Sequence, residues 1–268
     1  MKTAQIDRIR IHPIKALDHI ELEETTVGVH SLLNDRIFAI TAADGRYVNG
    51  KRTGKVNELK ATYDLPNRSI TLEKRTGGTA QKFDLDEHNK ELIEYLSDFF
   101  EMGIMLLASN KGELMDVPTK SSVTVLSEAS LRSLQDNFPK HSLEDLRLRF
   151  RANIELKGVE SFWEEQLFQE PGTGVRFLAG EVEMIGISPR ARCNVPPRNP
   201  LTGETDKQFV KLMMESRAKS LPANSMLTKH GNLYHLSVDT YIPASEKGKT
   251  LRKDDPIKIL GPVDLKTA

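Results

Sequence analysis

Residues 36–48 read Arg36-Ile37-Phe38-Ala39-Ile40-Thr41-Ala42-Ala43-Asp44-Gly45-Arg46-Tyr47-Val48. An apolar run enters a turn-forming Ala43-Asp44-Gly45-Arg46 and leaves through Tyr47-Val48, the pattern of a β-hairpin. On the N-terminal side, Ile6 to Ile14 alternates in part through Ile9 and Ile11. On the C-terminal side, Lys60 to Tyr63 and Ser69-Ile70-Thr71-Leu72 flank a Pro66-Asn67 turn. Together these predict a small antiparallel sheet or barrel. The first helix is expected later, from Glu87 to Phe100, where Leu92, Ile93, Leu96, Phe99 and Phe100 keep helical spacing. Ile104 to Leu107 then reads as a buried strand.

The segment Lys111 to Lys120, with Gly112, Asp116 and Pro118, reads as a boundary or crossover dividing the chain into units 1–112 and 113–268. Beyond it, Val123-Thr124-Val125-Leu126 is a strand, and Ser127 is placed to N-cap a helix reaching Asn137. Ala152 to Leu156 is a further strand. Val175 to Leu178 and Glu181 to Ile187 form a hairpin about Ala179-Gly180. Asp206 to Leu221 is an amphipathic helix through Phe209, Leu212 and Met213, and strands return at Leu233 to Val238 and Ile257 to Leu260. The fold class is therefore mainly β (α+β), two β units with helices covering their open faces.

Composition narrows the chemistry. The 268 residues carry 38 basic and 38 acidic side chains, so no chain-wide charge favours a nucleic acid or a membrane surface, and any anion site must arise from local clustering. The single cysteine excludes an internal disulfide, a four-thiolate iron–sulfur cluster and a zinc site of paired thiols. No apolar run approaches the roughly 18 residues that cross a bilayer. Asp7 interrupts the N-terminus where a secretory signal would turn apolar, so a cytoplasmic location is expected.

The stretch richest in chemistry is Ser188-Pro189-Arg190-Ala191-Arg192-Cys193-Asn194-Val195-Pro196-Pro197-Arg198-Asn199-Pro200-Leu201-Thr202-Gly203. A strand ending at Ile187 delivers a thiol, flanked by three arginines, into a loop stiffened by four prolines. Nearby cations favour the thiolate, both a nucleophile and a soft-metal ligand. On composition alone the commoner reading of a lone cysteine, a small buried hydrophobe, stays the favoured one. Other cations flank turns: Lys15 in His12-Pro13-Ile14-Lys15, Arg36 after Asn34-Asp35, and Lys51-Arg52 after Tyr47-Val48. A ligand phosphate needs such groups, Arg as a fork and Lys as a point charge, while each alone is equally an ordinary surface charge. Arg147-Leu148-Arg149-Phe150-Arg151-Ala152-Asn153 alternates into a strand, which would set its arginines on one face. The seven histidines form no metal pair, and there is no Walker loop, GxGxxG turn or GxSxG elbow. A Cys–His pair assembled by the fold stays open. Trp163 with Phe162 reads as a core anchor.

Taken in order, these motifs resemble the MOSC family, named for the C-terminal domain of molybdenum cofactor sulfurase, in the pattern of its stand-alone bacterial members and the mitochondrial amidoxime-reducing component. His12-Pro13-Ile14-Lys15 is similar to the family's opening aromatic-Pro-Val/Ile-Lys-Ser motif, and Asn34 to Ile40 to its Asp-Arg-aromatic strand. Ser127-Glu128-Ala129-Ser130-Leu131 resembles its Ser-Glu-Ala-Ser-Leu helix start, and Phe150-Arg151-Ala152-Asn153-Ile154 its Phe-Arg-Pro-Asn-Ile strand. Arg192-Cys193 resembles the metal-binding Arg-Cys, Pro200-Leu201-Thr202-Gly203 the Pro-x-Thr-Gly that follows, and Gly248 to Leu260 the closing Gly-Asp-Pro strand.

The resemblance implies an N-terminal β-barrel-like domain, a MOSC β-barrel with flanking helices, and the molybdenum cofactor (Mo-molybdopterin) in the cleft between them. Cys193 would supply the catalytic thiolate to the metal. Lys15, Arg36, Arg52, Arg151 and Arg192 would neutralise the pterin phosphate and orient the ring, with Ser127 and Asn153 as hydrogen-bonding partners. The implied activity is an oxidoreductase reducing small N-hydroxylated (N–O) substrates; a non-catalytic cofactor or sulfur carrier is the alternative. One cysteine holds no iron–sulfur cluster, so electrons are expected from a separate ferredoxin-like, flavin or haem protein. The namesake's pyridoxal phosphate half has no counterpart here, so that cofactor would belong to a partner. Ala16 stands where relatives carry serine, Ala152 where they carry proline, and Pro196-Pro197-Arg198-Asn199-Pro200 where they read Thr-Thr-Val-Asp-Pro.

Overall fold

The broken alternation of the first strand has a direct structural cause. Ile6, Ile9 and Ile11 all face one core, although odd and even positions of a strand point to opposite faces. A β-bulge between Ile6 and Arg8 resets the phase. The structure, a computed structural model, describes residues 3–117, 121, 123–222 and 225–266. Pro118 and Lys120 of the expected crossover lie outside the described residues.

Among the described residues an eight-stranded sheet runs in the order β15 (Ile257–Asp264), β11 (Thr173–Ala179), β12 (Val182–Ala191), β13 (His235–Tyr241), β9 (Val123–Ser127), β10 (Ile154–Lys157), β1 (Gln5–Ile11), β2 (Ile20–Leu22). Only the β9–β10 contact is parallel, as its connection through α2 (Glu128–Gln135) and α3 (Leu143–Phe150) requires. β3 (Glu24–Thr26) pairs with β14 (Thr250–Arg252), β4 (Phe38–Ala42) with β8 (Ile104–Ala108), and β5 (Leu59–Asp64), β6 (Ser69–Lys74) and β7 (Gln81–Asp84) form a three-stranded sheet. α1 (Lys90–Phe100) and α4 (Phe209–Ser220) complete a mainly β molecule with flanking helices.

Among the described residues three apolar cores result. One joins Ile6, Ile9 and Ile11 to Val125, Ile154, Phe177 and Val238. A second packs Phe38, Ile40, Leu59 and Leu72 against Leu92, Leu96 and Phe99 of α1. A third lies among Leu131, Leu146, Phe150, Phe209 and Met213 of the later helices. Each such side chain contributes about 2 kcal/mol of transfer free energy.

Several expectations shift. Arg147 to Phe150 is the end of helix α3, not part of a strand. Ser142 caps that helix by accepting from the Asp145 N–H at 3.0 Å, Glu144 and Asp145 favour its N-terminus, and Leu146 and Phe150 bury one turn apart. The basic–apolar alternation therefore does not set the arginines on one face. β8 is half exposed rather than buried, with Met105 at 43% and Leu107 at 38%, because β4 is its one paired neighbour. β12 runs on past Ile187 to Ala191 through two register shifts against β13. α1 starts at Lys90, since Asn89 is the cap that accepts from Leu92 N–H. The hairpin at Ala43-Asp44-Gly45-Arg46 forms, with Ala42 N–H donating to Arg46 O at 2.9 Å. No helix among the described residues is long and apolar enough to cross a membrane, which says nothing of β-barrel membrane proteins.

Candidate functional site

β12 ends at Ala191 and releases Arg192-Cys193 over a cleft of about 480 Å³. The rest of the lining comes from the segment after β1, from Arg36, from the 49–57 turn and from the C-terminal end of α3, which packs against Arg192 and the loop after Cys193. Two contacts fasten the walls together. Arg198 Nε donates to Gly50 O at 2.7 Å, and Gly54 and Gly203 approach so closely that a Cβ on Gly54 would lie 2.7 Å from Gly203 O. Gly203 also has φ +75°, so the Pro-x-Thr-Gly turn needs glycine for both conformation and contact.

Eleven Lys or Arg side chains but only three carboxylates, Asp18, Asp116 and Asp239, are among the cleft's described lining. Arg10 and Arg147 are neutralised from outside it, Arg10 by Glu21 and Glu144 and Arg147 by Glu128 and Glu155. Arg149 is consumed by Asp145 and by the carbonyls of Pro196 and Arg198, which pin the loop after Cys193.

Two cations differ. Arg151, in the left-handed cap of α3 at φ +53°, donates to Leu17 O at 2.7 Å. Arg192 donates to Phe150 O at 2.9 Å and lies 5.3 Å from the centre of the Phe150 ring, while its buried Nε has no partner. Neither has a carboxylate within ion-pair distance among the described residues. Burial first, then Arg36, brings Arg151 down to about 10; burial and then Arg190 bring Arg192 to about the same value. Both remain cations at neutral pH and both are under-compensated, the condition in which an arriving anion gains most.

Cys193 is half buried on this wall. Its carbonyl accepts from the Tyr234 hydroxyl at 3.1 Å, and Arg192 N–H donates to Tyr234 O at 2.9 Å, so the loop is fixed to the start of β13. Arg190 donates to Asp239 at 2.8 Å and to Asp116 at 2.7 Å. Burial works against its charge, but those two carboxylates outweigh burial and the Cys193 sulfur adds to them, so its pKa is raised.

Arg36, also in a left-handed conformation at φ +51°, is clamped by Asp35 and by Asn153 Oδ1 at 3.3 Å. Lys15 Nζ sits 4.8 Å from the Tyr47 ring centre and donates to Leu114 O, Met115 O and Asp116; burial lowers its pKa. The structure thus brings Lys15, Arg36, Arg151, Arg192 and Cys193 onto one cleft. Asn153 stands behind the wall, its amide spent on Arg10 O and Asp35 and its carbonyl on Arg36 and Thr124. Ser127 is fully buried as the cap of α2, bonded to Ser130, and does not line the cleft. Arg52 is exposed and outside the lining, where its neighbour Lys51 takes a place instead.

Residues given no site role in the sequence also face the cleft. Arg190 lies near the end of β12 two positions before Arg192, a spacing that could have signalled a common face. Asp116 and Asp239 gave no signal. His12 and His19 lie with ring centres 5.9 Å apart. Burial and then Arg151 hold His12 well below its usual range, and burial and then Arg10 lower His19 to about 4, so both are neutral at pH 7.

Fold and site define a mainly β protein with one thiol on a cationic cleft. The chain belongs to the MOSC family: residues 3–102 match the MOSC N-terminal beta barrel domain and residues 108–258 match the MOSC domain. It is similar to the mitochondrial amidoxime reducing component 2 of Bos taurus, at 24% identity over 94% of this chain and 82% of that protein. It is also similar to the molybdenum cofactor sulfurase of Homo sapiens, at 21% identity over 79% of this chain and 28% of that protein. Among solved structures, the YUAD protein of Bacillus subtilis overlaps 97% of this chain and 98% of its own with a TM-score of 0.38 and 8% identity.

Proposed function

We propose that the cleft binds the molybdenum cofactor with Cys193 as the protein thiolate, and that the protein is an oxidoreductase for small N-hydroxylated substrates. The observation that carries this reading is the conjunction of a half-buried thiol with two partly buried arginines, Arg151 and Arg192, that form no ion pair with a carboxylate among the described residues. That donor set suits a phosphorylated ligand bearing a soft metal. When bound, the cofactor would supply two-electron oxygen-atom chemistry at the metal. Arg151, Arg192 and Arg36 hold the ligand's anionic end, and the fixed Cys193 loop presents the thiolate. The neutral rings of His12 and His19 add no charge to an already cationic wall.

In the proposed reaction the substrate takes up two electrons and two protons, its N–O bond breaks, and water leaves with an N–H product. The electrons come from a separate ferredoxin-like, flavin or haem protein, since a single cysteine cannot carry a cluster.

The test is metal and pterin analysis of protein made in a host that synthesises the cofactor, beside Cys193→Ser. Wild type is expected to hold molybdenum and pterin, and the variant to lose the metal. Wild type without molybdenum removes the reading, and metal retained by the variant removes the ligand assignment. Loaded protein is expected to reduce a benzamidoxime with an artificial electron donor; bound cofactor without turnover would favour the carrier.

A further inference from the structure

The three carboxylates on the cleft have unequal roles. Asp18 is a structural pin, gripping Arg75 at 2.5 and 2.6 Å and accepting from Ala61 N–H at 2.9 Å. Asp239 sits on β13, fixed between Ser121 and Arg190. Asp116 belongs to no strand or helix and spans the cleft, meeting Lys15 at 3.1 Å on one wall and Arg190 at 2.7 Å on the other. Its side chain is 36% exposed, so a path to solvent is open.

The donor count at Lys15 is decisive. An ammonium has three N–H groups, and Lys15 Nζ makes three contacts, to Leu114 O at 3.0 Å, Met115 O at 3.3 Å and Asp116 at 3.1 Å. No donor is left for an incoming anion. Any anion that engages Lys15 must replace one of these, and the replaceable one is the partly exposed carboxylate.

We infer that Asp116 is an internal anion that occupies the ligand's place between Lys15 and Arg190 and sets the affinity of the cleft for phosphate-bearing ligands. The inference rests on the reading that this cleft holds a phosphorylated group. A phosphate carries more charge and more acceptor oxygens than a carboxylate, so it wins the exchange once Arg151 and Arg192 are engaged as well. Burial would raise the Asp116 pKa, but Lys15, Arg190 and Arg36 outweigh it and hold it well below the carboxylate range, so the competitor is charged at every physiological pH.

The experiment is calorimetric titration of inorganic pyrophosphate into the cofactor-free full chain at low salt. Asp116→Asn is compared with wild type, with Asp18→Asn, which removes the same charge from the same cleft, and with Asp116→Glu, which restores a competing carboxylate. Asp116→Asn is expected to bind at least about tenfold tighter than wild type, with the other two variants within about threefold of it. A gain no larger than that of Asp18→Asn, or weaker binding, overturns the inference while leaving the anion site standing. No pyrophosphate binding by wild type or Asp116→Asn overturns both.

Discussion

Arg151 and Arg192 show how a single position acquires meaning from its surroundings. Each is an ordinary arginine in the sequence; each becomes distinctive because it follows directly on helix α3 or strand β12 and is held partly buried beside another cation, with no ion pair to a carboxylate among the described residues. The same field acts on the two histidines. His19 is lowered to about 4 in the folded chain, first by burial and then by Arg10 and Arg151, and its ordinary value is near 6.5. A depressed base makes the unfolded state bind more protons between those values, so stability is complete above about pH 6.5 and is lost as pH falls toward 4. Thermal melts of the cofactor-free protein from pH 7 to pH 4 are expected to show this loss, with His12 adding to it and His19→Gln flattening it. A melting temperature as steep in that variant as in wild type would remove His19 from the account.

At the scale of elements, the Ala43–Arg46 hairpin turn and the Ser127 cap are the legible part. Asn89, Ser127 and Ser142 each accept a backbone N–H of the helix they start, and two of those helices were foreseen because an apolar period follows the cap. The third, α3, reads from the sequence as a strand. Over seven residues a basic–apolar alternation fits a strand, and only packing of Leu146 and Phe150 in the helical core decides otherwise. Strand β12 depends on a contact that no pattern announces: a Cβ at Gly186 would overlap the Leu167 carbonyl oxygen. Gly186→Ala is expected to cost about 3 kcal/mol or more, read as a lower urea midpoint, and to disturb the strand that carries Arg190 and leads into Cys193. An unchanged midpoint would mean that the 3-10 turn Trp163–Leu167 yields freely.

At the scale of the whole molecule, the first strand crosses from one half to the other. β1 pairs with β10 and β2, Ile6 N–H donates to Asp255 O, and Ile6, Ile9 and Ile11 complete the core beneath the eight-stranded sheet. The cleft likewise draws Lys15 and Arg36 from one half and Arg151, Arg192 and Cys193 from the other. A chain of residues 113–268 alone would expose the β10 edge and lose three fully buried isoleucines, on the order of 6 kcal/mol of apolar burial. It is expected to lack cooperative unfolding, with amide protons of β9 and β10 exchanging freely; a sharp transition in that fragment would contradict this dependence.

The sequence by itself determined the periodicities, the Ser127 cap, the mainly β class and the presence of one thiol among arginines, because these are properties of neighbours along the chain. Tertiary structure alone decided that among the described residues Arg151 and Arg192 form no ion pair while Arg147 and Arg149 do, that Asn153 and Ser127 stand behind the wall, and that Asp116 bridges Lys15 to Arg190. The physical reason is that compensation of a buried charge depends on which groups lie within a few ångströms, and such groups here come from positions up to about a hundred residues or more apart, a separation over which no local pattern carries information.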